Sequence, residues 1–331
     1  MSSGLLGQVG FSAETVYGTR VAPAKFVRHT KVSLKREAQR QQGMGIASGM
    51  TGDLAAHYVE TTNAGSGSLE FDLQDRGLGL IWNTLMGGSA VTPVLISGTS
   101  YTGTFPLSNT TIGRMLTVQA GLPYRGGSVQ CHELTGVKIP SFELSVAKGD
   151  IAKCTVGLDA QAWSDSQTLA TASYPTAAAP FHFQNLAVKL GTFGSETALT
   201  TMVQGVTVKI DRPHDTEDYV AGNSGRKTQP VVNDTTKITG SITADWLAKA
   251  DFQDRANSTT AQSLVIELVG ATAISGANFP TWRLTLPSVT FDPDTQELEG
   301  RDALSKTWNF TWRFDGTNQP TIVTISTDTA L

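Results

Sequence analysis

The stretch GSLEFDLQDRGLGLIWNTLMGG, residues 67–88, changes its apolar period partway along, and that change decides the fold class. Leu69, Phe71 and Leu73 alternate with Ser68, Glu70 and Asp72, which gives a strand one apolar face and one wet face. Beyond Asp75, read as an N-cap, Leu78, Ile81, Trp82, Leu85 and Met86 recur at helical spacing, and Gly87 and Gly88 end the run. A strand followed by a helix lying against its sheet is expected here, the helix acting as an outer support.

The opening of this stretch returns as GSITADW at 240–246, an offset of 240 − 67 = 173. VSLKRE at 32–37 returns as VTVKID at 206–211, an offset of 206 − 32 = 174, with Lys35 falling on Lys209. IPSFEL at 139–144 returns as LPSVTF at 286–291, an offset of 286 − 139 = 147. Kept order and near-constant spacing point to a duplicated unit, and the smaller last offset points to an insertion in the first copy. The Gly-, Ser- and Thr-rich region at 89–113, with short strands around Tyr101 to Phe105, is where it falls. The second helix is poorer: Trp246, Ala250 and Phe252 are followed by QDRANS.

Composition sets the class around these signals. The 331 residues suffice for about two domains, charged residues are only 16%, and 33 glycines with many β-branched residues read as mostly β with many turns. A net charge of −4 does not favour a grip on polyanions. Cys131 and Cys154 lie in no metal motif and read as buried free thiols, and the N-terminus shows no secretion signal. No run is apolar enough to span a membrane, so no membrane partner is expected.

Taken in order, residues 1–26 show no sustained period and read as an extended N-terminal arm. Residues 27–163 form the first unit, with strands at 27–37, 54–62, 114–120, 137–146 and 151–163 and a long loop at 38–53. The small, polar, proline-bearing stretch 164–182 reads as a linker, and 183–331 as the second unit, with its own long loop at 212–236. Leu264 to Val269 reads as a central buried strand, and Trp308, Phe310, Trp312 and Phe314 as four core aromatics on one face.

Chemistry is sought and not found. FDPDTQELEG at 291–300 lacks the Asp-x-Asp-x-Asp-Gly frame of a cation loop, so no metal is expected. His29, His57, His132, His182 and His214 fall in no ligand motif, and acyl-transfer, P-loop and dinucleotide signatures are missing. No catalytic residue and no cofactor are expected, and the chain does not read as an enzyme.

ETVYGTRVAPAKFV at 14–27, VSLKRE, the long loop after it and GSLEFDLQDRGLGLIWNTLMG together resemble the tail tube proteins (major tail proteins) of long-tailed bacteriophages, in the larger, doubled-unit type. The resemblance implies two tandem tail-tube-like β-sandwich or barrel units, each with a flanking helix. It implies a structural virion protein, made in the host cytoplasm, that polymerises as stacked rings into the tail tube, the conduit for DNA delivery. Its partners would be itself and other phage tail proteins, with DNA passing through without specific binding. The arm would lie on a neighbouring subunit. The loops would reach the adjacent ring, with Met44, Ile46, Met50, Arg226 and Lys227 as the contacting residues.

Two further expectations follow. Ring closure removes exposed sheet edges, and two fused units supply a third of a pseudo-sixfold ring, so trimeric rings are expected. The wet faces bearing Glu70 and Asp72 are expected to line the lumen, because a basic lining would hold DNA. The rival reading is a two-domain β-sandwich binding module, such as a carbohydrate-binding or adhesive surface protein.

Overall fold

The computed structural model describes residues 4–45, 49, 51–110, 112–199, 203–245, 252–293 and 305–331. Its first strands are β1 (Gln8–Ala13), β2 (Lys25–Val27), β3 (His29–Gln42) and β4 (Tyr58–Asp72), followed by helix α1 (Gly79–Met86). Next come β5 (Val94–Ser97), β6 (Ser100–Pro106), β7 (Leu116–Pro123), β8 (Val129–Val137), β9 (Ser141–Ala147), β10 (Lys153–Ala160) and β11 (Ala162–Ser164). The later part holds β12 (Leu186–Thr192), β13 (Ser195–Ala198), β14 (Val203–Asp211), β15 (Lys237–Asp245), α2 (Gln253–Ala256), β16 (Gln262–Val269), β17 (Thr281–Phe291), β18 (Ser305–Trp312) and β19 (Thr321–Ser326). The protein is mainly β, as expected.

Two sheets organise these strands. One runs β11-β8-β7-β1-β2. The other has 14 strands along β13-β12-β16-β17-β18-β15-β14-β9-β10-β4-β3, with β19, β6 and β5 branching from β17. The order β3-β4-β10-β9 is thus repeated by β14-β15-β18-β17, and β2-β1-β7-β8-β11 by β13-β12-β16-β17-β19. β17 does alone what β8 and β9 do together, passing from one sheet to the other. Pro140 sits between β8 and β9, and Pro287 sits in the bulge of β17 against β16. Proline has no N–H to give a ladder, so the bend between sheets is where it fits.

The arm expected at 1–26 is in part a packed element. β1 pairs with β2 and β7 and buries Val9 and Phe11. Short strands interrupted by glycine and proline lack the period that would have marked them.

β4 keeps the alternation read from its sequence: Leu69 and Phe71 are buried against Val156 and Cys154 of β10, with Ser68, Glu70 and Asp72 on the wet face. α1 is not an outer support. Every residue from Leu80 to Met86 is buried, Asn83 and Thr84 included. Trp82 packs edge-on to Phe142 of β9 at 5.3 Å between ring centroids and tilts onto Trp282 of β17 at 5.9 Å, so the helix sits between the two halves. Nor is Asp75 its N-cap; Leu78 holds that position without a side-chain bond, and Asp75 pairs with Arg76 and accepts the Ala179 N–H. At the other end Gly87 turns left-handed at φ 69°, with no room for a Cβ beside the Arg212 guanidinium. Arg212, just past β14, donates to the carbonyls of Leu85, Ser108 and Thr110 at 3.2, 3.2 and 2.9 Å. A cation at a helix C-terminus is favourable, and this one ties the second half to the first.

β6 falls in the region read as an insertion and pairs with β19, a second tie between the halves. α2 is a single turn after Phe252, and Trp246 and Ala250 of the poorer helix expected there lie outside the described residues. β16 is the central buried strand expected, between β12 and β17. Of the four aromatics, Trp308 and Phe310 are core, Trp312 is half-buried, and Phe314, beyond the strand, is 52% exposed. Residues 164–182 are irregular apart from the end of β11 and isolated bridges, but they are held: Ala170 N–H bonds Gln119, and Tyr174 packs on Phe26.

Candidate assembly surfaces

One face of the large sheet buries apolar side chains and the other is wet. Across the wet face the register aligns Lys31, Glu70, Thr155, Glu143, Lys209, Thr239, Thr311 and Thr290 in one continuous row over eight strands. The next row runs Asp72, Lys153, Ser145, Thr207, Ser241 and Asn309. Both Glu70 and Asp72 therefore stand on a single extended polar surface. Lys31 pairs with Glu70 at 2.8 Å, Lys209 with Asp211 at 2.9 Å, and Lys153 with Asp150 at 2.7 Å. Cations and carboxylates alternate among hydroxyls, and no run of basic residues accumulates.

The edges of the sheet form a second surface. β9 and β14 join the halves antiparallel over seven register pairs, from Ser141 opposite Asp211 to Ala147 opposite Gly205. β3 is a long edge strand whose partner among the described residues is β4. Val289 of β17 has Gln262 on one side and Trp312 on the other, whereas Thr290 and Phe291 have partners only in β18. From Thr290 onward, the edge of β17 opposite β18 is open among the described residues.

The two long loops differ. The first is displaced from the expected 38–53 to 43–57, because β3 continues to Gln42 and β4 begins at Tyr58, making a protruding hairpin. Arg36 forks onto Glu60 at 2.7 and 2.9 Å and stiffens that hairpin. Met44 at its tip is 90% exposed, and Leu54, Tyr58 and Val59 are exposed as well. Ile46 and Met50 lie outside the described residues.

The second loop folds inward instead. Gly225 O accepts the Asn63 N–H at 2.7 Å, and Lys227 is buried in a 2.6 Å pair with Asp159. Burial pushes the Asp159 carboxyl up, and the Lys227 bond opposes that. Lys227 is thus corrected from an inter-ring contact to an internal one, while Arg226 beside it is exposed. This inward packing was missed from sequence. The letters carry no signal of it, since GNSG at 222–225 matches GMTG at 49–52 in the other loop, an offset of 222 − 49 = 173.

Titratable groups elsewhere serve packing. Lys138 is buried and donates to the carbonyls of Ile112 and Arg114, with burial and then Arg212 lowering it to about 8. His214 near them is lowered to about 4, first by burial. Cys131 and Cys154 are free and buried, and burial raises both thiols. Among the described residues no three His, Cys, Asp or Glu side chains gather as a metal site, and no helix is long and apolar enough to cross a membrane. Residues 294–300 of the acidic turn lie outside the described residues.

No curated protein matches the chain. A family model described as phage tail tube protein matches residues 4–312. A repeated strand order, one sheet continuous through both halves and a family match over nearly the whole chain lead to one conclusion: this protein belongs to the phage tail tube protein family, structural proteins of the virion tail.

Proposed function

We propose that this chain is the ring-forming subunit of a phage tail tube and that stacked rings of it conduct DNA. The observation that carries the reading is the β9–β14 joint, which makes two repeats of the same strand order into one sheet. A sheet that extends by repeats with edges still open gains most from closing on itself, since closure removes those edges. Each repeat supplies a sixth of the turn, so three chains complete a pseudo-sixfold ring. The repeats span 27–163 and 183–331, joined by 164–182, with β1 and β2 added to the first.

The wet face lines the lumen, with Glu70 and Asp72 on it. Its alternating charges support this, because a lining without accumulated cations releases few counterions and lets the duplex slide. The tip at 43–57 reaches toward neighbouring chains through Met44 and the residues of its loop, Ile46 and Met50 among them, and Arg226 offers a second, exposed contact. Synthesis is in the host cytoplasm, where two unpaired thiols stay reduced. The rival reading of two binding domains fits less well, since separate modules would not share an unbroken sheet.

Mass measurement and averaged end-on images of assembled particles test the proposal. Three chains per ring are expected; six would sink the trimer, and a monomer at all concentrations would sink the tube. Replacing Glu70 and Asp72 by lysine is expected to make assembled tubes retain duplex DNA at low salt, and unchanged retention would remove these residues from the lumen.

A further inference from the structure

Where β15 begins and β18 ends, the sheet carries more cations than its neighbouring acids offset. The register that sets Thr239 opposite Thr311 brings Lys237 opposite Arg313 two residues beyond, on the wet face. Asp211 nearby is engaged with Lys209 at 2.9 Å, and Asp234 stands 3.8 Å from Lys237 with both side chains more than half exposed. An exposed pair at that distance offsets little charge. Behind them Arg212 is 2% exposed and donates to the carbonyls of Leu85, Ser108 and Thr110, while its Nε has no partner. Carbonyls satisfy N–H groups without cancelling the charge, and burial lowers the pKa of this guanidinium with no carboxylate opposing it. Buried charges are normally paired, so an anion is favoured beside it.

These three cations border one groove of about 540 Å³, within the size range of small-molecule sites, and among the described residues no Asp or Glu lines it. Trp312 and Phe314 form its apolar wall, their rings tilted at 53° with centroids 6.3 Å apart. Trp312 Nε1 has no partner, and Phe314 is 52% exposed. Aromatic faces beside cations suit a ligand with a flat ring at one end and negative charge at the other. That is the chemistry of a nucleotide, whose base stacks while its phosphate takes charge-assisted bonds. Inorganic phosphate would leave the aromatic wall unused, and a duplex keeps its base faces covered.

We propose that this groove binds one unstacked nucleotide, its base against Trp312 and Phe314 and its phosphate between Lys237 and Arg313, with Arg212 behind. The nucleotide is either free or the unpaired end of a strand, and the chemistry recognised is the same. The site does not depend on ring closure. It also leaves duplex DNA unheld, because a stacked pair cannot present a base face to Phe314.

Calorimetric titration of the full chain, dilute enough to hold one species, tests this with deoxyadenosine monophosphate, deoxyadenosine, inorganic phosphate, a short unpaired oligonucleotide and its duplex. The monophosphate is expected to bind saturably, and deoxyadenosine and phosphate alone to bind more weakly by about tenfold or more. Arg313→Glu and Phe314→Ala, both at exposed positions, are each expected to weaken the monophosphate about tenfold or more without moving the melting temperature. Lys31→Glu, the same change of charge at the far end of the wet row, is expected to leave the affinity unchanged. An oligonucleotide that binds more tightly than the monophosphate assigns the site to a strand end, and equal affinity assigns it to the free nucleotide. Absence of saturable binding by either, a duplex bound as tightly as the unpaired strand, or an equal loss in Lys31→Glu overturns the proposal. None of these readouts depends on whether rings form, so the tube reading stands or falls separately.

Discussion

Replacing Lys227 by methionine removes one partner of an ion pair whose side chains are 3% and 10% exposed, and strands the Asp159 carboxyl. One oxygen of that carboxyl already lacks a partner, and burial already pushes it toward the neutral form. Without the lysine it takes up a proton in the native state. Relative to an unfolded carboxyl at about 3.9, holding it neutral at pH 7 costs about 1.4 kcal/mol for each of about three pH units, so the loss has a ceiling of about 4 kcal/mol. That agrees with the 3–5 kcal/mol typical when one partner of a buried pair is removed. The sign follows from proton binding: the native variant holds a proton that the unfolded chain releases, so its stability falls as pH rises above about 4. At pH 5 the same arithmetic leaves a penalty of about 1.5 kcal/mol. Urea denaturation of wild type and variant at pH 7 and pH 5, dilute enough to hold one species, measures both values. A loss under about 1 kcal/mol at pH 7, or one that does not shrink at pH 5, refutes the reasoning. Adding Asp159→Leu to Lys227→Met is expected to restore most of the stability, because the buried charge is then gone.

Three further outcomes follow from the core. His214 is held at about 4, so the unfolded chain takes its proton first and stability is lost as pH falls below about 6.5. The loss reaches about 2 kcal/mol by pH 5 and is expected to vanish in His214→Phe, read from melting temperature against pH. Trp82→Ala opens a cavity where the two halves meet, between Phe142 and Trp282, and is expected to cost about 3–5 kcal/mol in denaturant titration. Gly87→Ala puts a Cβ at a left-handed residue and 1.6 Å from the Arg212 guanidinium nitrogen, so a lowered melting temperature and a cost of at least about 1–2 kcal/mol are expected.

Local patterns were legible wherever one face of an element is buried and the other wet. Leu69 and Phe71 against Glu70 and Asp72, and Leu264 to Val269 with both faces apolar, carry their strand assignments in their letters. So does the repeat, because corresponding strands occupy corresponding environments. α1 was legible as a helix but not as a buried one: its stripe is marked by leucine and tryptophan, while Asn83 and Thr84 are buried for reasons that lie in other strands. β1 and β2 were illegible because they are short, and β1 owes its order to β7, more than a hundred residues away in sequence, while β2 pairs with β1.

The assembly surfaces divide in the same way. By itself the sequence determined that the chain is β and duplicated, since period, order and spacing are one-dimensional properties, and its motifs carried the resemblance to the tail tube family. Only the tertiary structure decided that β9 and β14 join the repeats, that Lys227 turns inward, and that the β3 edge and the end of the β17 edge are open among the described residues. Which strand edge meets which, and whether a loop lysine finds a buried carboxylate, depend on register and burial in three dimensions, and no local pattern of side chains encodes the partner.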